Sequence, residues 1–140
     1  MSGLEDLKAN SVSTIIIINS DGMGAAEETL RHKLLRVYLT MLKENGLYPG
    51  AICFYASGVK MVVEGSPVLD LLKELEAKGV KLILCSTCLQ YFGLTDKVAA
   101  GIVGGMSDIL LAQWMASKVI TIYLIPDSRF SILDSRQPGV

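Results

Sequence analysis

The sequence predicts an α/β fold: a single-domain three-layer α/β/α sandwich with a mainly parallel sheet. Three observations carry that prediction. Short apolar runs recur along the chain (Thr14 to Ile18, Ala51 to Tyr55, Val80 to Leu84), as strands covered on both faces require. Between them lie longer segments whose apolar residues return every three or four positions, the pattern of helices packed on a sheet. Strand and helix alternate at a spacing that suits right-handed crossovers, and such crossovers join parallel neighbours.

Each element follows from its own residues. Positions 1–13 are mostly small and polar, with Leu4 and Leu7 among the few sizeable apolar side chains, which suits an arm or a short helix. The β-branched run Thr14-Ile15-Ile16-Ile17-Ile18 is the first strand. Ser20 to Gly24 turns the chain into a helix over roughly Ala25 to Asn45, with Leu30, Leu34, Val37, Met41 and Leu42 on the inward side and Gly46 as its stop. Ala51 to Tyr55 is the second strand, in which Cys53 is a small core residue. Ser57 to Gly65 predicts a turn and a short extended segment. Ser66 as N-cap and Pro67 as first helical residue begin the next helix, which runs to Lys78 before Gly79.

Val80 to Leu84 is the third strand and delivers Cys85, and a short helix from Cys88 to Gly93 follows. After Val98 to Val103 and the break at Gly104-Gly105, Ser107 or Asp108 caps a helix to about Ser117, with Ile109, Leu110, Trp114 and Met115 facing in. Lys118 to Ile125 is the last strand, ended by Pro126. The domain is therefore expected over 14–125, with an arm at 1–13 and a tail at 126–140.

The totals exclude several function classes. A formal net charge of −1 with interspersed signs gives no footprint for nucleic acid or an anionic membrane. No apolar run approaches the length that spans a bilayer, and 1–13 lacks the basic start and apolar middle of a signal peptide, so a cytoplasmic location is expected. With 51% hydrophobic and 19% charged residues the chain is apolar for its size, which points to a homo-oligomer. Three cysteines cannot build a disulfide framework. With a single histidine, a four-ligand zinc site would need Cys53, Cys85, Cys88 and His32 together, and a surface place is the default for His32; neither a metal nor a cofactor is expected.

Chemistry concentrates in Leu82-Ile83-Leu84-Cys85-Ser86-Thr87-Cys88-Leu89. In open α/β sheets, ligands and reacting groups collect at the carboxyl ends of the strands. A cysteine in the first turn of a helix meets backbone N–H groups that favour the thiolate, which suits Cys88 if Ser86 or Thr87 caps the helix. Cys85, at the strand's end, is expected to point into the pocket beside the loops of the other strands. Such a C-x-x-C pair can hold a disulfide, can divide attack and resolution between its thiols, or can be packing alone. Asp21, Gly22 and Gly24 are expected to line the mouth. Their two glycines suggest a phosphate cradle, but Glu27 breaks the G-x-G-x-x-G fingerprint.

Taken together, Ser20-Asp21-x-Met23-Gly24, Gly58-Val59-Lys60, Glu64-Gly65-Ser66, Gly79-Val80 and Cys85-Ser86-Thr87-Cys88-Leu89 resemble the DsrE/DsrF/TusD-like sulfur-relay proteins. The resemblance is greatest to the DsrE-like domain of the YedF selenium-metabolism proteins. It implies a doubly wound α/β fold, assembly into trimers or hexamers, and exchange of sulfur with donor and acceptor proteins. It also implies a cysteine that accepts sulfane sulfur as a persulfide, which maps onto Cys85, with Cys88 able to resolve it or share the load. On that basis Cys85 and Cys88 are the expected catalytic residues, with Asp21, Gly22, Gly24, Ser86 and Thr87 around them. Two other classes stand beside this one: an oligomeric scaffold subunit whose thiols do not turn over, and a small-molecule or nucleotide binder using the Asp21 to Gly24 turn.

Overall fold

A computed structural model of the chain describes residues 2–122. The continuation of the last strand to Ile125 and the tail at 126–140 lie outside the described residues. Apart from short 3-10 turns at Ser11–Ser13 and Thr95–Lys97, the elements in chain order are α1 (Ser2–Asn10), β1 (Thr14–Ile18), α2 (Glu28–Glu44), β2 (Ala51–Phe54), a 3-10 helix (Ala56–Val62), α3 (Leu69–Ala77), β3 (Lys81–Cys85), α4 (Ser86–Phe92), β4 (Ile102–Gly104), α5 (Met106–Met115) and β5 (Lys118–Ile122).

The five strands form one sheet in the order β4-β3-β2-β1-β5, and every neighbouring pair is parallel. The isoleucines of β1 are all buried between β2 and β5, as its unbroken β-branched run requires. Three successive crossovers move the chain one strand at a time from β1 to β4, so right-handedness puts α2, α3 and α4 on one face. The crossover through α5 returns past β1 to β5, which puts α5 on the other face. Arg36 of α2 bonds Asp70 of α3 through two nitrogens at 3.0 and 2.8 Å, and Lys43 bonds Glu74 at 2.8 Å, which ties the two helices together.

Several local expectations are corrected. Helix α2 carries two apolar stripes. The one that meets the sheet is Leu35 and Leu39, flanked by Tyr38 and Leu42, whereas Leu30, Leu34, Val37 and Met41 face outward. Periodicity finds both stripes but cannot choose between them; the rotation seen here is the one that also delivers Arg36 and Lys43 to α3. Helix α5 likewise buries Ile109, with Ala112 and Ala116 packed beside it, and leaves Leu110, Trp114 (81% exposed) and Met115 (83%) outside.

The segment expected to be extended winds into the 3-10 helix instead. Its three-residue turn stacks Val59 over Val62, and both are buried; extension is confined to Val63, which pairs antiparallel with Val98. Ser66 does not cap α3. Its hydroxyl accepts the N–H of Val68 at 3.2 Å in a local turn that also holds Pro67, so the helix begins at Leu69.

Candidate functional site

Strand β3 ends at Cys85, and helix α4 starts at the next residue. Neither Ser86 nor Thr87 caps the helix. Cys85 itself is the N-cap residue, with extended φ and ψ of −71° and 118°, and Ser86 and Thr87 are the first two helical residues. Cys88 is therefore the third. Side chains at the N-cap and third helical positions lie on the same side of the first turn, the geometry that lets such pairs bond each other. All three cysteines are free thiols.

The two sulfurs differ in access. Cys85 is only 1% exposed, so it is buried rather than open to a pocket mouth, while Cys88 is partly exposed. The Sγ of Cys88 accepts a hydrogen bond from the backbone N–H of Ala56 at 3.1 Å. That donor belongs to the loop after β2, not to the Cys85–Cys88 turn.

The position of Ala56 can be traced to its neighbours. The N–H of Tyr55 donates to the carbonyl of Ile18 at the end of β1 at 3.2 Å, and the N–H of Gly58 donates to the carbonyl of Tyr55 at 2.9 Å. Gly58 rests directly on β1: a Cβ there would lie 2.0 Å from the Ile18 carbonyl oxygen. Between these anchors Ala56 takes a φ of 52°, the sole positive φ at a non-glycine residue among the described residues. Such a conformation is uncommon for alanine and persists only where the surroundings enforce it.

Burial, foremost, raises the Cys88 thiol above its ordinary range, and hydrogen bonding with the Cys85 thiol adds to this, while the Ala56 N–H pulls the other way. Cys53 in β2 is fully buried, and burial pushes it up to about 11. Lys60 places its Nζ 4.5 Å from the ring centroid of Phe92, a cation–π contact between the 3-10 helix and α4. Residue type and spacing mark neither Ala56 nor Phe92, and Lys60 only as part of a motif. The Gly58-Val59-Lys60 motif was the available signal for the loop, but nothing in it names an alanine N–H.

The Asp21 to Gly24 turn folds back on α2. Asp21 accepts from Arg31 at 3.1 Å, the N–H of Met23 donates to the Arg31 carbonyl at 3.0 Å, and a Cβ at Gly22 would lie 2.6 Å from the Arg31 Cβ. Gly24 faces Leu34. These contacts serve the entry into α2. His32 is not grouped with the cysteines; its ligand atoms, with those of Asp21 and Glu28, lie within 4.8 Å of one another, beside the guanidinium that already pairs with Asp21. A cavity of about 700 Å³ lies elsewhere, at the amino ends of the strands among Ser13, Gly50, Lys81, Leu111 and Met115.

Among the described residues, no helix is long and apolar enough to cross a membrane. Comparison with solved structures finds the same fold in YchN from E. coli, at a TM-score of 0.59 and 22% identity over 78% of this chain and 97% of that one. It is also found in BT1422 from Bacteroides thetaiotaomicron (TM-score 0.56, 20% identity, 83% and 98% covered) and in MTH1491 from Methanobacterium thermoautotrophicum (0.53, 19%, 77% and 97%). No curated protein matches the chain. The DsrE/DsrF-like family matches residues 13–122, from the end of the arm through β5 and including both thiols of the turn, and the chain belongs to that family.

Proposed function

We propose that the protein is a cytoplasmic sulfur-transfer protein that carries sulfane sulfur as a persulfide on the Cys85–Cys88 pair. The observation that carries this reading is the bond from the Ala56 N–H to the Cys88 sulfur, with a second free thiol beside it at the carboxyl end of the sheet. Family membership supports a sulfur-relay role at the level of the fold. Chemically, a thiolate attacks the outer sulfur of a donor persulfide, and an N–H aimed at the reacting sulfur favours its anionic form. The donor and acceptor are expected to be thiol-bearing partners, and the same chemistry would admit selenium.

The protein is further proposed to work as a homo-oligomer, a trimer or hexamer. Two separate apolar stripes support this: Leu30, Leu34, Val37 and Met41 on α2, and Met106, Leu110, Leu111, Trp114 and Met115 on α5. They lie on helices of opposite sheet faces, so one covered face would not account for both.

Intact-mass spectra after incubation with glutathione persulfide test the reading. A gain of whole sulfur atoms that iodoacetamide pretreatment prevents is the expected result. Absence of any gain, in protein that elutes as an oligomer in size-exclusion chromatography with light scattering, would favour the scaffold reading. A nucleotide role has less support, because the glycines of the Asp21 to Gly24 turn are spent against α2.

A further inference from the structure

We infer that sulfur enters on Cys88 and that Cys85, the family-expected acceptor, is the resolving thiol buried beneath it. The inference rests on the sulfur-transfer reading and assigns the two steps within it. Its basis is the unequal access of the pair. A donor large enough to present a persulfide on a protein or peptide cannot bring its outer sulfur to a Cys85 that is 1% exposed. Cys88 is partly exposed, and the backbone at Ala56 directs an N–H at its Sγ from 3.1 Å. Cys85 is nevertheless not isolated in the core: it is the N-cap of the helix whose third residue is Cys88, so the two side chains share one side of the first turn.

Two displacements follow. In the first, the Cys88 thiolate attacks the outer sulfur of a donor R–S–SH. A bond forms between that sulfur and the Cys88 Sγ, the donor S–S bond breaks, and R–S⁻ leaves with the electron pair. Cys88 then carries –S–SH, available to an acceptor thiolate. If none arrives, the Cys85 thiolate, its proton lost to solvent, attacks the Cys88 Sγ. A Cys85–Cys88 disulfide forms, the bond to the outer sulfur breaks, and that sulfur leaves as hydrosulfide. The two cysteines are oxidised by two electrons together, and the sulfane sulfur is reduced by the same two. The buried thiol thus sets how long the cargo survives.

The test is a non-reducing intact-mass time course with glutathione persulfide, for wild type, Cys88→Ser, Cys85→Ser and Cys85→Ala. The alanine variant guards against a misfolded serine variant, with circular dichroism confirming the fold of each. Wild type should gain one sulfur transiently and end lighter than the starting thiol form by two hydrogens, and Cys88→Ser should gain none. Both Cys85 variants should gain one sulfur and keep it after the wild-type adduct has decayed. Sulfur on Cys88→Ser but absent from the Cys85 variants would reverse the order and overturn the inference. A wild-type adduct as durable as that of the Cys85 variants would overturn the resolving role. No gain in any protein, wild type included, would instead remove the sulfur-transfer reading itself.

Discussion

The N–H of Ala56 and the Sγ of Cys88, 3.1 Å apart, join the loop after β2 to the helix after β3. Neither residue is near the other in sequence. The contact exists because β2 and β3 are adjacent and parallel, so their carboxyl ends open on the same side of the sheet.

Gly58 holds that contact in place. A Cβ at this position would meet the Ile18 carbonyl oxygen at 2.0 Å, so either the 3-10 helix or the end of β1 must move. Gly58→Ala should cost more than about 3 kcal/mol, beyond the usual range for a single substitution. Urea unfolding measures it. A variant that folds with near-normal stability would show that the loop yields, and the Cys88 sulfur should then have lost its donor.

The pH dependence of alkylation reports the same bond. Cys88 titrates above the ordinary thiol range, chiefly through burial. Its thiolate fraction at neutral pH is therefore small, and the alkylation rate should rise with pH and still be climbing past the ordinary thiol value. In Gly58→Ala the midpoint should move higher still, because the Ala56 N–H is the contact that favours the anion. A rate already level at neutral pH would contradict this. The measurement is best made in Cys53→Ala, although Cys53, pushed up to about 11 in the core, should react slowly in the folded protein.

The two stripes of α2 make a paired prediction. Leu39 is fully buried on the sheet, so Leu39→Ala should cost about 2–5 kcal/mol from lost burial and the cavity left behind. Val37 lies on the outward stripe, where Val37→Ala should change the stability of the isolated chain by about 0.5 kcal/mol or less. Its effect should fall on assembly, read as a shift toward smaller species by light scattering. Equal destabilisation by the two would put both stripes in the core of one chain.

The Arg36–Asp70 pair should be visible in acid. The Arg36 guanidinium holds the Asp70 carboxyl down to about 2 in the folded state. A depressed carboxylate contributes stability that is complete above its unfolded value, near 3.8, and lost as pH falls through about 2. Both side chains are largely exposed, so the contribution is at most about 1 kcal/mol. Asp70→Asn should lower the stability at neutral pH by that amount and leave the stability at pH 2 nearly unchanged, as urea unfolding at the two pH values would show.

Much was legible in the chain because it depends on local pattern. The unbroken β-branched run of β1, the alternation of strand and helix, and the strand-to-turn position of Cys85 follow from residue type and spacing alone, and they determine a parallel α/β sheet with two thiols at its carboxyl end. Only the tertiary structure decided which stripe of α2 and α5 meets the sheet, since both stripes have helical spacing and the choice rests on neighbours distant in sequence. It also decided that Cys85 is buried and Cys88 partly exposed, and that the hydrogen bond to sulfur comes from Ala56. A backbone N–H has no side chain to announce it, and its direction was set by a glycine seated on a different strand.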